Sequence, residues 1–190
     1  MPITTRKFTI NQYHQMVNVG ILTPQDRVEL IQGEIIEMSP IGLKHAACVN
    51  LLANLFPQKL GTQIIVSVQN PIQLNDYSEP QSDVVLLKPL PDFYGLEIAK
   101  SKDIYLLIEV ADTTITTIKY DKEVKLPLYA VSSIPEVWII DLNSQCVEVY
   151  LQPHQNMYQN YSKFNPGQKL SCLNFPNLNI DVNDLLVFTY

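Results

Sequence analysis

The spacing of apolar positions changes repeatedly along the chain, and each change marks an element. Thr9 precedes a short stretch with helical spacing that ends at Val19, which predicts a helix capped by Thr9 and closed by Gly20. Val28 to Met38 alternates around Gln32-Gly33, the pattern of a β-hairpin. Between Leu43 and Leu60, Ala47, Leu51 and Leu55 recur beside Ala46, Asn50 and Ala53, so one long amphipathic helix is expected, stopped by Gly61. The period then falls to two. Thr62 to Leu74 reads as a strand broken at Pro71, Asp83 to Lys88 as a second, and Ile104 to Ala111 as a third, with a Pro-punctuated connection over 89–103. Helical spacing returns from Ile115 to Val131 through Tyr120, Val124, Leu128 and Val131, with a kink expected at Pro127. Glu136 to Asp141 and Gln145 to Leu151 read as strands joined at Leu142–Ser144. The Asn-, Gln- and Tyr-rich tail suits short strands and a last helical turn near Asp181.

That order predicts an α/β (α+β) domain, a mixed sheet with a helix on each side, preceded by an N-terminal helix and hairpin. One domain over 1–190 is expected, with 1–40 as an extension, 43–152 as the core and 153–190 as C-terminal strands and a short helix. The 190 residues are 46% hydrophobic and 17% charged, a composition suited to a compact globule. No apolar run reaches the roughly 18 residues of a membrane span, and the N-terminus lacks a basic-then-apolar leader, so a cytoplasmic protein without a membrane partner is expected. Cys48, Cys146 and Cys172 are too few and too scattered for a disulfide framework or a zinc site, and read as small buried hydrophobes. The net charge of -6 argues against a strongly basic nucleic-acid binder.

Chemistry concentrates at one strand end. Ile104 to Asp112 is nearly continuous in apolar residues, yet it carries Glu109, and a buried glutamate needs a partner, a metal or water. If the second and third strands are antiparallel, pairing Lys88 with Ile104 places Asp83 opposite Glu109. Two carboxylates on one face repel, and a hard divalent cation would relieve that cost. Asp121 and Lys125 stand at i and i+4 on the following helix, where the lysine can lay its stem along the sheet and bring its ammonium to the same place. Plainer readings stay open: Asp83 as a strand-entry cap, Glu109 in an ordinary ion pair, Lys125 bridged to Asp121. His45, beside Lys44, opens the long helix and could approach a phosphate or a metal's outer shell, although a satisfied helix-start histidine is the favoured reading. Glu29 and Glu34 could add a third carboxylate, with solvated hairpin positions favoured for both. His14 and His154 have no partner at ligand spacing.

Five segments in order carry a resemblance: Arg27–Pro40 (RVELIQGEIIEMSP), Ser82–Leu87 (SDVVLL), Ile108–Asp112 (IEVAD), Tyr120–Ala130 (YDKEVKLPLYA) and Ile134–Asp141 (IPEVWIID). From about residue 6 to 152 the chain resembles the Uma-type restriction-endonuclease family of the PD-(D/E)XK superfamily. The resemblance implies a restriction-endonuclease-like fold and a Mg2+- or Mn2+-dependent endonuclease acting on DNA, with pairing into a homodimer as an option. Asp83 matches the aspartate of the motif and Glu109 its (D/E) position, which with the Val110 carbonyl would hold the metal. The motif lysine belongs two residues after Glu109, where Ala111 stands; Lys125 matches the variant in which that lysine sits on the neighbouring helix. The superfamily's acid on the first core helix has no counterpart, since Leu43 to Leu60 holds no Asp or Glu, and Glu29, Glu34 and His45 are the candidates to replace it. The rival is a non-cleaving nuclease-like scaffold that binds nucleic acid or a protein.

Overall fold

The computed structural model describes residues 4–23, 25–112 and 115–186. Helix α1 (Ile10–Asn18) starts at Thr9 with a reciprocal capping box to Gln12. The hairpin β1 (Val28–Ile31) and β2 (Glu34–Glu37) turns through Gln32 and Gly33, both at positive φ, the turn that suits strand twist. Helix α2 (Leu43–Leu60) follows and ends where Gly61 adopts φ +55°.

A six-stranded sheet comes next, in the order β3-β4-β5-β6-β7-β8. Its strands are β3 (Ile65–Val68), β4 (Val84–Leu87), β5 (Ile104–Ala111), β6 (Glu136–Asp141), β7 (Cys146–His154) and β8 (Met157–Phe164). Neighbours run antiparallel except β5 and β6, which are parallel because a helical crossover joins them. The crossover is α3 (Ile115–Tyr120), a π turn at Asp121–Lys125, and α4 (Leu126–Val131). A second hairpin, β9 (Lys169–Cys172) and β10 (Phe175–Asp181), precedes a final 3-10 turn capped by Asp181.

The sheet is apolar on both faces. Cys48, Leu52 and Phe56 of α2 pack on Val84, Leu106, Ile108 and Trp138, joined by Leu170 and Ile180 of the second hairpin. On the opposite face Tyr129 packs with Val85, Leu107 and Val137. The mixed sheet between helices is the architecture expected from the element order. All three cysteines are buried and unpaired, and among the described residues no helix is long and apolar enough to cross a membrane.

Local expectations changed in three places. The strand expected over Thr62 to Leu74 is only four residues long. A 3-10 turn takes Gly61–Gln63, and Gln69 turns to φ +49° ahead of Pro71, leaving single bridges at Pro71 and Gln73. The helix from Ile115 to Val131 is interrupted by the π turn, in which the Leu126 amide reaches back to the Asp121 carbonyl. Pro127 has no amide hydrogen to give, so the wider turn sits where a regular helix would lose a bond and meet the proline ring. Its inward line is also shifted: Lys125, Leu128 and Tyr129 are buried while Val131 is 61% exposed. Finally, Lys88 does not pair with Ile104. Val84, Val85 and Leu86 pair with Ile108, Leu107 and Leu106, but Leu87 pairs with Ile104 because the register shifts at that end. The expected register is therefore kept at the Asp83–Glu109 end and lost by one residue at the other.

Candidate active site

Asp83 lies one residue before β4, at the sheet end where β5 delivers Glu109. The Asp83 amide donates to Glu109 Oε2 at 3.3 Å, and the Val110 amide donates to Asp83 Oδ2 at 2.9 Å. The two acids are thus tied to each other's backbone. Asp83 is also held by His45 Nε2, 3.0 Å from Oδ2, and by Gln69 Nε2, 3.4 Å from Oδ1. His45 stands in the first turn of α2, and its own amide donates to Asp112 Oδ2 at 3.2 Å. Asp112 thereby satisfies one of the open amides of a helix whose N-cap, Gly42, has no side chain to do so. Among the described residues, His45 Nδ1 is buried without a hydrogen-bond partner.

Glu109 is 3% exposed and receives its partners from the crossover. Lys125 Nζ lies 3.4 Å from Glu109 Oε1, and the Tyr129 hydroxyl donates to the same oxygen. Ser82 Oγ donates in turn to the Tyr129 hydroxyl at 3.1 Å. Lys125 and Tyr129 are one turn apart, so both reach the same carboxylate. Lys125 Nζ also donates to the Gln81 carbonyl at 3.1 Å and lies 3.4 Å from Glu29 Oε2.

Glu29 overturns its favoured sequence reading. It is 2% exposed, not solvated, and accepts from the Gln81 amide and the Tyr120 hydroxyl, each at 3.0 Å. The reason lies in the hairpin. Leu30 and its cross-strand partner Ile35 face α1, so Glu29 and its partner Ile36 face the other way, into the cleft. Alternation marked the hairpin but gave no sign that its polar face is covered. Glu34 does stay at the surface, paired with Lys7 and outside the cleft. No ion pair joins Lys125 to Asp121 among the described residues, although Asp121 lines the cleft beside it. Tyr120 was expected on the helix's apolar line and not as a donor to Glu29, and Tyr129 and Gln81 were not singled out by sequence; a tyrosine four residues after Lys125 was the signal available for Tyr129. His14 is paired with buried Glu79 at 2.9 Å, away from this cleft.

The residues enclose a cleft of about 460 Å³ whose floor holds Glu29, Asp83, Glu109 and Lys125. Burial dominates its electrostatics. It holds the Glu109 carboxyl above the ordinary range; Lys125 pulls it down, Asp121 and Asp83 push it up, and the Tyr129 hydrogen bond lowers it. Burial likewise pushes Asp121 up to about 6 against the pull of Lys125. Burial alone would lower Lys125, but the Glu109, Glu29, Asp121 and Asp83 carboxylates outweigh it and raise the lysine. His45 follows the same logic, with burial opposed and exceeded by Asp83, Asp112 and Asp121 together. The cleft therefore favours cations. Its donors are hard carboxylate oxygens, and among the described residues Asp83 Oδ1 carries a single long contact, so the donor chemistry fits a divalent cation such as Mg2+. Among the described residues, however, no group of three His, Cys, Asp or Glu side chains is arranged to hold a metal ion. Glu109 Oε1 is shared by Lys125 and Tyr129 in this arrangement.

A family profile described as "Uma2: Putative restriction endonuclease" matches residues 10–183. Among solved structures, a putative nuclease belonging to DUF820 from Anabaena variabilis matches at a TM-score of 0.71, covering 97% of this chain and 97% of that one. The two are 18% identical, a likeness that shows the fold alone. No curated protein matches the chain.

Proposed function

This chain belongs to the Uma2 family of restriction-endonuclease-like proteins, and on that premise we propose that it is a divalent-metal-dependent endonuclease hydrolysing DNA phosphodiester bonds. The observation that carries the reading is the tie between Asp83 and Glu109, each held by the other's strand, with the Lys125 ammonium against Glu109. Asp83 and Glu109, with the Val110 carbonyl, are the residues that would hold the cation. When bound, such an ion activates water and offsets charge on the phosphoryl oxygens. Lys125 keeps its proton among the carboxylates, so it acts as a fixed positive charge beside the attacked phosphorus and not as a base. His45 orients Asp83, and Tyr129 orients Glu109. Asp121 adds negative charge on the crossover side.

The test uses plasmid and linear DNA with Mg2+ or Mn2+. Cleavage is expected with metal, none after chelation, and a loss of about 100-fold or more in Asp83→Ala and Glu109→Ala. Unchanged cleavage in both variants excludes this site. The sharing of Glu109 Oε1 by Lys125 and Tyr129 favours the second reading, a scaffold that binds nucleic acid or a protein without cutting. Binding without cleavage under any metal supports it.

A further inference from the structure

A buried acidic side chain that lines the cleft takes no direct hold of Asp83 or Glu109 and comes from outside the six-stranded sheet. Glu29 sits on β1 and lines the cleft, where it meets Tyr120 and Lys125 of the crossover. Its Oε2 lies 3.4 Å from Lys125 Nζ and accepts from the Gln81 amide at 3.0 Å, while the Gln81 carbonyl accepts from the same ammonium at 3.1 Å. Glu29 thus grips Lys125 twice, directly and through the backbone of Gln81, two residues from Asp83. Its Oε1 takes the Tyr120 hydroxyl, which turns the carboxylate so that Oε2 faces the lysine. The Tyr120 ring also lies 5.9 Å from the ammonium. A long, flexible lysine loses rotamer freedom when it is held in one place, and a single contact to Glu109 at 3.4 Å is a weak means of holding it.

We propose that Glu29 is a positioning residue, through which the N-terminal hairpin holds the Lys125 ammonium beside Glu109. Its effect on rate rests on the nuclease reading; its effect on Lys125 does not. Gly33 supports the geometry, since the hairpin turn packs so tightly on Lys7 that a Cβ there would lie 2.6 Å from the Lys7 Cβ. The Leu30–Glu79 bridge fastens β1 to the segment leading to Gln81.

Two measurements on the full chain test this. Limited acetylation with acetic anhydride, read by mass spectrometry, compares Lys125 with exposed Lys59 and Lys102. Lys125 is expected to be protected in the native protein, and its labelling to rise about tenfold in Glu29→Gln at conditions where circular dichroism shows the variant folded. Tyr120→Phe, which frees Glu29 Oε1 but keeps the charge, should raise labelling in the same direction by less. It serves as the readout if Glu29→Gln does not fold. Lys125 protected as before in every folded variant overturns the proposal. In the cleavage assay, Glu29→Gln should lower kcat about 10- to 100-fold with KM nearly unchanged, and Glu34→Gln should match the native protein. A rise in KM alone also overturns it, because Glu29 would then act on substrate binding. If the native protein cuts no DNA, the nuclease reading fails, and the labelling still decides the role of Glu29.

Discussion

Tyr129 is the side chain on which two buried groups depend, donating to Glu109 and accepting from Ser82. Replacing it with Phe keeps the ring in its apolar contacts but leaves Glu109 one donor short. A loss of about 1–3 kcal/mol is expected in urea unfolding, with the far-UV spectrum unchanged. Glu136 poses the opposite problem, at the far end of the sheet. It is fully buried, and burial raises its carboxyl despite bonds from Cys172, Leu173 and Trp138. A carboxyl raised on folding contributes stability that is present below its unfolded pKa and lost as pH rises through the folded value. Native protein should therefore lose stability as pH climbs above about 4.5, the ordinary value, and Glu136→Gln should lack that part of the slope. Thermal unfolding across pH reads the difference, and parallel profiles would rule the explanation out. At this scale the sequence was legible where a residue's surroundings follow from its own strand. Asp83 and Glu109 could be paired from register alone. Glu29 could not, because what covers it comes from β4's approach and from α3, far away in sequence.

Elements are held in place by a few unusual positions. Gly33 combines φ +77° with the close approach of Lys7, so alanine there meets both backbone strain and a clash. Gly33→Ala is expected to cost roughly 1–3 kcal/mol, measured by denaturant unfolding, and to loosen the hairpin that carries Glu29. The helix starts and stops at Thr9, Gly20, Leu43 and Gly61 were visible because caps and glycines act locally. The π turn was not. Pro127 announced a disturbance, but whether a helix kinks or widens depends on what its side chains must reach, and here Lys125 and Tyr129 both reach Glu109. The shortened β3 has a similar cause: its residues pattern as a strand, yet β4 supplies only four partners.

Across the whole molecule, charge is the property that runs against the proposed substrate. The chain carries -6, and its cleft is lined by Glu29, Glu37, Asp83, Glu109, Asp112 and Asp121 against Arg27, Lys125 and His45. DNA approaching such a surface is repelled, and salt screens repulsion as it screens attraction. KM for DNA should therefore fall as monovalent salt rises from about 20 to 100 mM at fixed Mg2+, the reverse of a basic nuclease, which releases counterions on binding. A KM that climbs steeply with salt would point to a basic contact surface elsewhere. The mixed sheet between helices could be foreseen at this scale, because short strands around a helical crossover admit few topologies.

The register shift between β4 and β5 is confined to the end away from the acids. It works as a slip joint. Residues gained or lost in the long connection over 88–103 can be taken up there without moving Val84 against Ile108. A residue inserted into or removed from that connection should therefore leave the two carboxylates in step.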